Sequence, residues 1–263
     1  MTLMDVIPAA LLGLIAGLLG GLAGIGGSMI MLPGLHMLFG DEPVQIHHRY
    51  MAAAMVVNVA VAFPAMLKHR AAGAVRGDLV APLLTGAVLG IIGGVLVSNR
   101  FDGQALRSML AAFIAGYSVL NLMRLIRRTP EPLAHHERVG TAGLVAAGGV
   151  TGMTAGLLGL GGGVVMVPLL QVACRVPLRQ SIATSSAVIC VTATVGAGLK
   201  LGTLHRVDES VSAALLLAAL MAPTAIIGGL MGARLTHTLP IRLVRAAVTA
   251  LLLLAAAKMA GLW

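Results

Sequence analysis

Two glycine-rich stretches hold the residues best suited to chemistry. One runs Gly156-Leu157-Leu158-Gly159-Leu160-Gly161-Gly162-Gly163-Val164-Val165-Met166-Val167-Pro168. The other lies 135 residues upstream and runs Gly21-Leu22-Ala23-Gly24-Ile25-Gly26-Gly27-Ser28-Met29-Ile30-Met31-Leu32-Pro33. Gly24, Gly26 and Gly27 permit positive φ and a close approach, as do Gly159, Gly161, Gly162 and Gly163. Pro33 and Pro168 lack an amide proton and interrupt a helical ladder after each cluster. An unwound stretch of this kind presents free backbone N–H groups at the start of the next half-helix. The helix dipole favours negative charge at the same place. The chemistry on offer is recognition of a small anion without a full cationic side chain.

Other polar candidates follow each cluster. Thr184, Ser185 and Ser186 can donate to an oxyanion, or can bond back to their own helix. Asn58 is the strongly polar side chain inside the second apolar segment, and an amide there needs a partner, so it should face the protein interior. His47, His48 and Arg49 precede that segment and read as a solvated loop. The functional alternative is that they attract an anion, or that a histidine takes a coupling proton. No HExxH, no Walker A and no GxSxG with partners occurs, and no carboxylate lies deep in a segment. The pattern therefore predicts no catalytic residue, no metal site and no cofactor. Gly-Gly-Leu-Ala-Gly-Ile-Gly-Gly matches a dinucleotide loop by spelling only, without the strand and acidic partner that loop requires.

The elements that carry these residues belong in a bilayer. Of 263 residues, 58% are hydrophobic and 10% charged, with a mean hydropathy of +0.98. A soluble domain carries about 25% charged residues. The net charge of +9 resides in short loops, where it signals topology rather than nucleic acid binding. Two cysteines, Cys174 and Cys190, are too few for a disulfide framework or a zinc site. Apolar segments fall at 6–39, 50–67, 79–98, 105–126, 140–172, 181–199, 210–233 and 240–262. The first and fifth are overlong, and each holds one glycine cluster. Residues 127–139 read as a linker between a repeat at 1–126 and a repeat at 140–263. Ile91-Ile92-Gly93-Gly94 recurs as Ile226-Ile227-Gly228-Gly229 at the same offset of 135.

The fold expected is an all-α polytopic membrane protein of two inverted repeats. Duplicated halves with an interrupted segment in each point to a secondary transporter. If all eight segments cross, the 18 Lys and Arg divide 10 to 8 between the faces. If the first and fifth fold back at their glycines, the division is 12 to 6. The second arrangement obeys the positive-inside rule. It inverts the second half, puts both termini outside and places the linker in the cytoplasm. For a single cluster, close helix packing would be the simpler explanation. Two matched clusters, each with a proline in an overlong segment, favour a binding site. Gly86, Gly90, Gly93 and Gly94 read as packing glycines, with no function assigned to them or to Gly228, Gly229 and Gly232.

The 156–168 stretch, its copy at 21–33 and the run Arg179-Gln180-Ser181-Ile182-Ala183-Thr184-Ser185-Ser186 resemble the signature of the sulfite exporter TauE/SafE family of membrane permeases. The resemblance covers nearly the whole chain. It implies movement of a small sulfur-containing anion, such as sulfite or an organosulfonate, across the bacterial inner membrane. Carried over by position, Gly26, Gly27, Pro33, Gly161, Gly162 and Pro168 would shape the substrate site. Ser28 departs from the pattern where the second copy has Gly163, and the first half lacks the Thr-Ser-Ser run. The reading is alternating access without covalent chemistry, with the anion and the lipid bilayer as partners and no nucleic acid. Proton coupling and association of copies into a homo-oligomer are left open. The alternatives are a channel-like facilitator, a scaffold or an intramembrane enzyme. A scaffold would show continuous helices through both clusters.

Overall fold

A computed structural model describes residues 3–40, 42–126, 140–172, 174–238 and the single positions 240, 243, 246, 250 and 253. The linker at 127–139 and nearly all of the last apolar segment lie outside the described residues. Within them the chain is helical, without strands: α1 Leu3–Ala23, α2 Ser28–Phe39, α3 Ile46–Ala71, α4 Gly77–Ser98, α5 Gly103–Ile126, α6 Thr141–Leu158, α7 Gly163–Val172, α8 Leu178–Thr203 and α9 Val211–Thr238. A short 3-10 turn, Leu204–Val207, follows α8.

Six helices (α1, α3, α4, α6, α8 and α9) have the length and hydropathy of membrane spans. α2 and α7, of 12 and 10 residues, reach only about half of a ~30 Å hydrocarbon core at ~1.5 Å per residue. They are the return arms of two hairpins. Gly20 faces the backbone of Gly26 and Gly27, Gly27 faces the Ala16 carbonyl, and Gly34 packs on the Leu12 side chain. So α2 runs back along α1. α7 turns back in the same way, with Gly162 beside Thr151 and Ala155 of α6.

Glycine seams assemble the rest. A methyl group at Gly86, Gly90 or Gly94 would overlap a backbone carbonyl of Val145, Gly149 or Met153. Gly148 and Gly152 meet Leu83 and Ala87 of α4 in return. These matches ascend together, so α4 and α6 run parallel. Gly13, Gly17 and Gly21 likewise ascend along Met221, Ala225 and Gly229, so α1 and α9 run parallel. Removing the side chains lets the backbones approach, as at packed transmembrane interfaces. Most of the glycines read as packing positions serve that end. Gly93 instead faces a side chain, that of Met153.

The two central helices, α3 and α8, run antiparallel. Lys200 meets His48, Gly196 meets Met55, and Ala62 packs with Ile189 and Ala193. This fixes two faces. The first face carries the start of α3, the end of α4 and the end of α8. The second carries Arg76, ahead of α4, whose amide donates to Thr184 near the start of α8 at 3.1 Å. Both cysteines are free, Cys174 buried and Cys190 half-buried.

Candidate functional site

Both glycine clusters interrupt their helices. Positive φ occurs at Gly24 (63°) and Gly26 (77°) in the first break, and at Gly159 (73°), Gly161 (70°) and Gly162 (99°) in the second. Gly27 and Gly163 depart from the sequence reading. Gly27 sits at φ −77° as the N-cap of α2, and Gly163 opens α7. They are small because of crowding. Gly27 lies against the Ala16 carbonyl, and a Cβ on Gly163 would overlap the Gly24 carbonyl. Pro33 and Pro168 also depart from it. They lie inside α2 and α7, so the glycines make the breaks and the prolines leave a ladder gap in the return arms. Such gaps are tolerated where neighbouring helices surround them.

The two breaks touch. Gly163 abuts Gly24 and Ile25, and the Gly161 position faces Asn58 and Ser28. All the residues from Gly24 to Ser28 and from Gly159 to Gly163 are buried.

Asn58 stands between them, fully buried. Its Oδ1 accepts the backbone N–H of Gly27 at 2.8 Å and of Ser28 at 3.2 Å. Its Nδ2 donates to Ser28 Oγ. The interior placement expected from sequence is met, and the partner is the first break itself. A side-chain oxygen thus occupies the N-terminus of α2, where orphan amides gather. The second break has no such plug: the position 135 residues on from Asn58 is Ala193. There Leu160 N–H reaches Ala155 and Met166 N–H reaches Gly162. The Gly162 and Gly163 amides between them have no protein acceptor among the described residues.

The hydroxyls divide. Ser185 Oγ donates to the Gly24 carbonyl at 2.9 Å and ties α8 to the first break. Ser186 Oγ donates to Ile182 of its own helix at 3.0 Å. Thr184 Oγ1 accepts the Arg76 amide toward the second face. Beside it, hydrogen bonds to Asp78 hold the Arg76 guanidinium above its ordinary pKa. Thr192 and Thr151 come close to Gly162. An apolar groove of about 480 Å³ opens between α5 and α7, lined by Phe113, Tyr117, Val164, Pro168 and Val172 among others. Among the described residues, no cluster of His, Cys, Asp and Glu is arranged to hold a metal ion.

The residues read as a loop before the second apolar segment depart furthest from the sequence reading. α3 begins at Ile46, so His47 and His48 are helical, and both are buried at 1% and 0% exposure. His36 Nε2 and His47 Nδ1 share a hydrogen bond of 2.8 Å. Arg49 pairs with Glu209 at 2.7 Å. Lys200, near the end of α8, is fully buried, whereas Lys68, near the end of α3, is exposed. Sequence reasoning singled out His47, His48 and Arg49 but missed their burial and the contact of His48 with Lys200. The one available signal was four polar residues, Gln45 and His47 to Arg49, closely preceding an apolar segment.

Comparison with known proteins adds the family. A family model described as "Sulfite exporter TauE/SafE" matches residues 9–259. The "Probable membrane transporter protein MamO" of Magnetospirillum gryphiswaldense is 28% identical over 294 residues, covering 98% of this chain and 45% of that protein. The protein of the same name from Paramagnetospirillum magneticum is also 28% identical, with 97% and 44% covered. The "Probable membrane transporter protein YunE" of Bacillus subtilis is 26% identical over 255 residues, with 89% of each covered. The chain thus spans less than half the length of the two MamO proteins. No solved structure matches it significantly.

Proposed function

The chain belongs to the sulfite exporter TauE/SafE family, and we propose that it moves a small sulfur oxyanion or organosulfonate across the bacterial inner membrane by alternating access. One observation carries this reading: the Asn58 carboxamide oxygen lying on the amides of Gly27 and Ser28. An oxygen acceptor already sits where a broken helix collects N–H donors. The second break offers the matching donors at Gly162 and Gly163, with Thr192, whose hydroxyl bonds back to Val188, beside Gly162. A sulfur oxyanion is the freely diffusing counterpart of that acceptor, and aligned amides with a helix dipole suit it. Broken helices at both clusters also argue against a scaffold, which would have no use for paired breaks.

The inverted repeat is part of the proposal. Its support is the antiparallel run of α3 and α8, equivalent helices by the offset of 135. The second face, which gathers Arg76 and the start of α8, would be cytoplasmic and would carry the 12 cations of the fold-back arrangement. Rocking of one half against the other would expose the paired breaks to each face in turn. No covalent step is involved, so the protein is not an enzyme in this reading. The test is flux of labelled sulfite into proteoliposomes, against sulfate, thiosulfate and a sulfonate, with and without a pH gradient. Absence of flux for all four would sink the proposal.

A further inference from the structure

Among the described residues, Lys200 is the one buried lysine or arginine. Its Nζ contacts His48 Nδ1 at 2.7 Å, Ser98 Oγ at 2.9 Å and Asn99 Oδ1 at 2.8 Å. His48 Nε2 faces the Phe101 carbonyl at 3.1 Å and must be the donor there. That leaves Nδ1 as the acceptor toward Lys200. All three ligands of the amine are then neutral. No carboxylate pairs with Lys200 among the described residues. Glu209 is taken by Arg49, and Asp102 Oδ1 accepts the Ala105 amide. A buried ammonium without a counter-charge is costly, and an ionisable group in a membrane segment marks a substrate or ion path by default.

The surroundings have spare polar capacity. Asn99 Nδ2 and His47 Nε2 are buried donors or acceptors without partners. Lys200 also lines up with the paired breaks. Thr192, Gly196 and Lys200 follow at four-residue spacing on the buried side of α8. Thr192 is beside Gly162, and the Ile91 and Met55 side chains lie nearest to Gly196. From Thr192 to Lys200 is about 12 Å of helix.

We propose that Lys200, with Asn99 and the His47–His48 pair, is a second anion station between the first face and the glycine breaks. It rests on the anion-transport reading above. The transported oxyanion would replace a neutral ligand of Lys200 and supply the missing counter-charge. Movement of the Met55 and Ile91 side chains would then connect it to Gly162.

The test compares sulfite flux in proteoliposomes of wild type, Lys200→Met, Lys200→Arg and Asn99→Asp. Lys200→Met removes the charge, and Asn99→Asp satisfies it with a built-in carboxylate. Both should raise the half-saturating sulfite concentration by about tenfold or more, with maximal rate changed by about threefold at most. Lys200→Arg should fall between them and wild type. A purely structural role would lower the amount of folded protein and leave half-saturation alone. If Lys200→Met does not accumulate, Asn99→Asp decides, because an added ion pair holds the cluster together. Wild-type half-saturation in Asn99→Asp, or in a folded Lys200→Met, overturns the station. A wild type that moves none of the four anions overturns the transport reading itself, before any variant is compared.

Discussion

Asn58 Oδ1 accepts the Gly27 amide at 2.8 Å, 31 residues away in the chain. One carboxamide on a continuous helix therefore sets the entry of a broken one. Replacing it by leucine leaves the Gly27 and Ser28 amides and the Ser28 hydroxyl buried and unpaired. Each such group costs about 1–3 kcal/mol, so Asn58→Leu should unfold at a clearly lower temperature in a detergent melt. Asn58→Asp keeps an acceptor on the amides but loses the donor to Ser28 and adds a negative charge. It should remain folded and lose about tenfold or more of anion flux. Flux equal to wild type in Asn58→Asp would remove the break from the substrate path.

Gly161 is constrained twice. Its φ is +70°, and a Cβ there would press on Asn58 Nδ2. The left-handed conformation alone costs a non-glycine residue about 1–2 kcal/mol. Gly161→Ala should therefore lower both melting temperature and flux. Gly198, in α8 with nothing within 4 Å of an added Cβ, is the control. Gly198→Ala should be neutral or stabilising by up to about 1 kcal/mol, the helix-propensity gain. Equal behaviour of the two variants would show that the break is not strained.

The α4–α6 seam predicts a contrast between neighbours. Gly90→Ala drives a methyl group into the Gly149 carbonyl, whereas Gly93→Ala meets only Met153 Sδ at 3.6 Å. Overpacking costs about 1–3 kcal/mol. A clear drop in melting temperature for Gly90→Ala but not for Gly93→Ala is the expected result, readable on purified protein without a transport assay.

Arg49 and Glu209 join α3 to the segment ahead of α9. Glu209 is 1% exposed at its side chain and Arg49 26%. Arg49→Gln strands a buried carboxylate, so it should destabilise by about 1–3 kcal/mol, less than a fully buried pair because Arg49 is partly solvated. Adding Glu209→Gln to Arg49→Gln should recover part of the loss. No recovery in the double variant would mean that Glu209 has another use, through the Oε1 that the ion pair leaves unpartnered.

Much of this arrangement was legible in residue types. Glycines at matched positions located both breaks, and the overlong segments anticipated the return of α2 and α7. Asn58 was bound to find an interior partner, because an amide has none in lipid. The misreadings share a cause. Polar residues near the end of an apolar run look the same whether they meet water or each other. His47, His48 and Lys200 bury themselves only because α3 and α8 run antiparallel and bring those ends together, which no single segment discloses. Likewise Pro33 looks like a terminus in isolation, yet it lies inside α2, where packing by neighbouring helices tolerates the missing ladder bond.

The parallel pairing of α1 with α9 has a consequence for biosynthesis. Thr224 of α9 donates to the Ala10 carbonyl of α1, 214 residues earlier, while α4 and α6 meet across about 60 residues. At ~5–20 residues per second, α1 emerges roughly 10–40 s before its glycine seam has a partner. During that interval the α9 side of that seam is absent, whereas both sides of the α4–α6 seam are made within about 60 residues of each other. The seam that closes α1 onto α9 is thus completed much later in synthesis than the seam between α4 and α6.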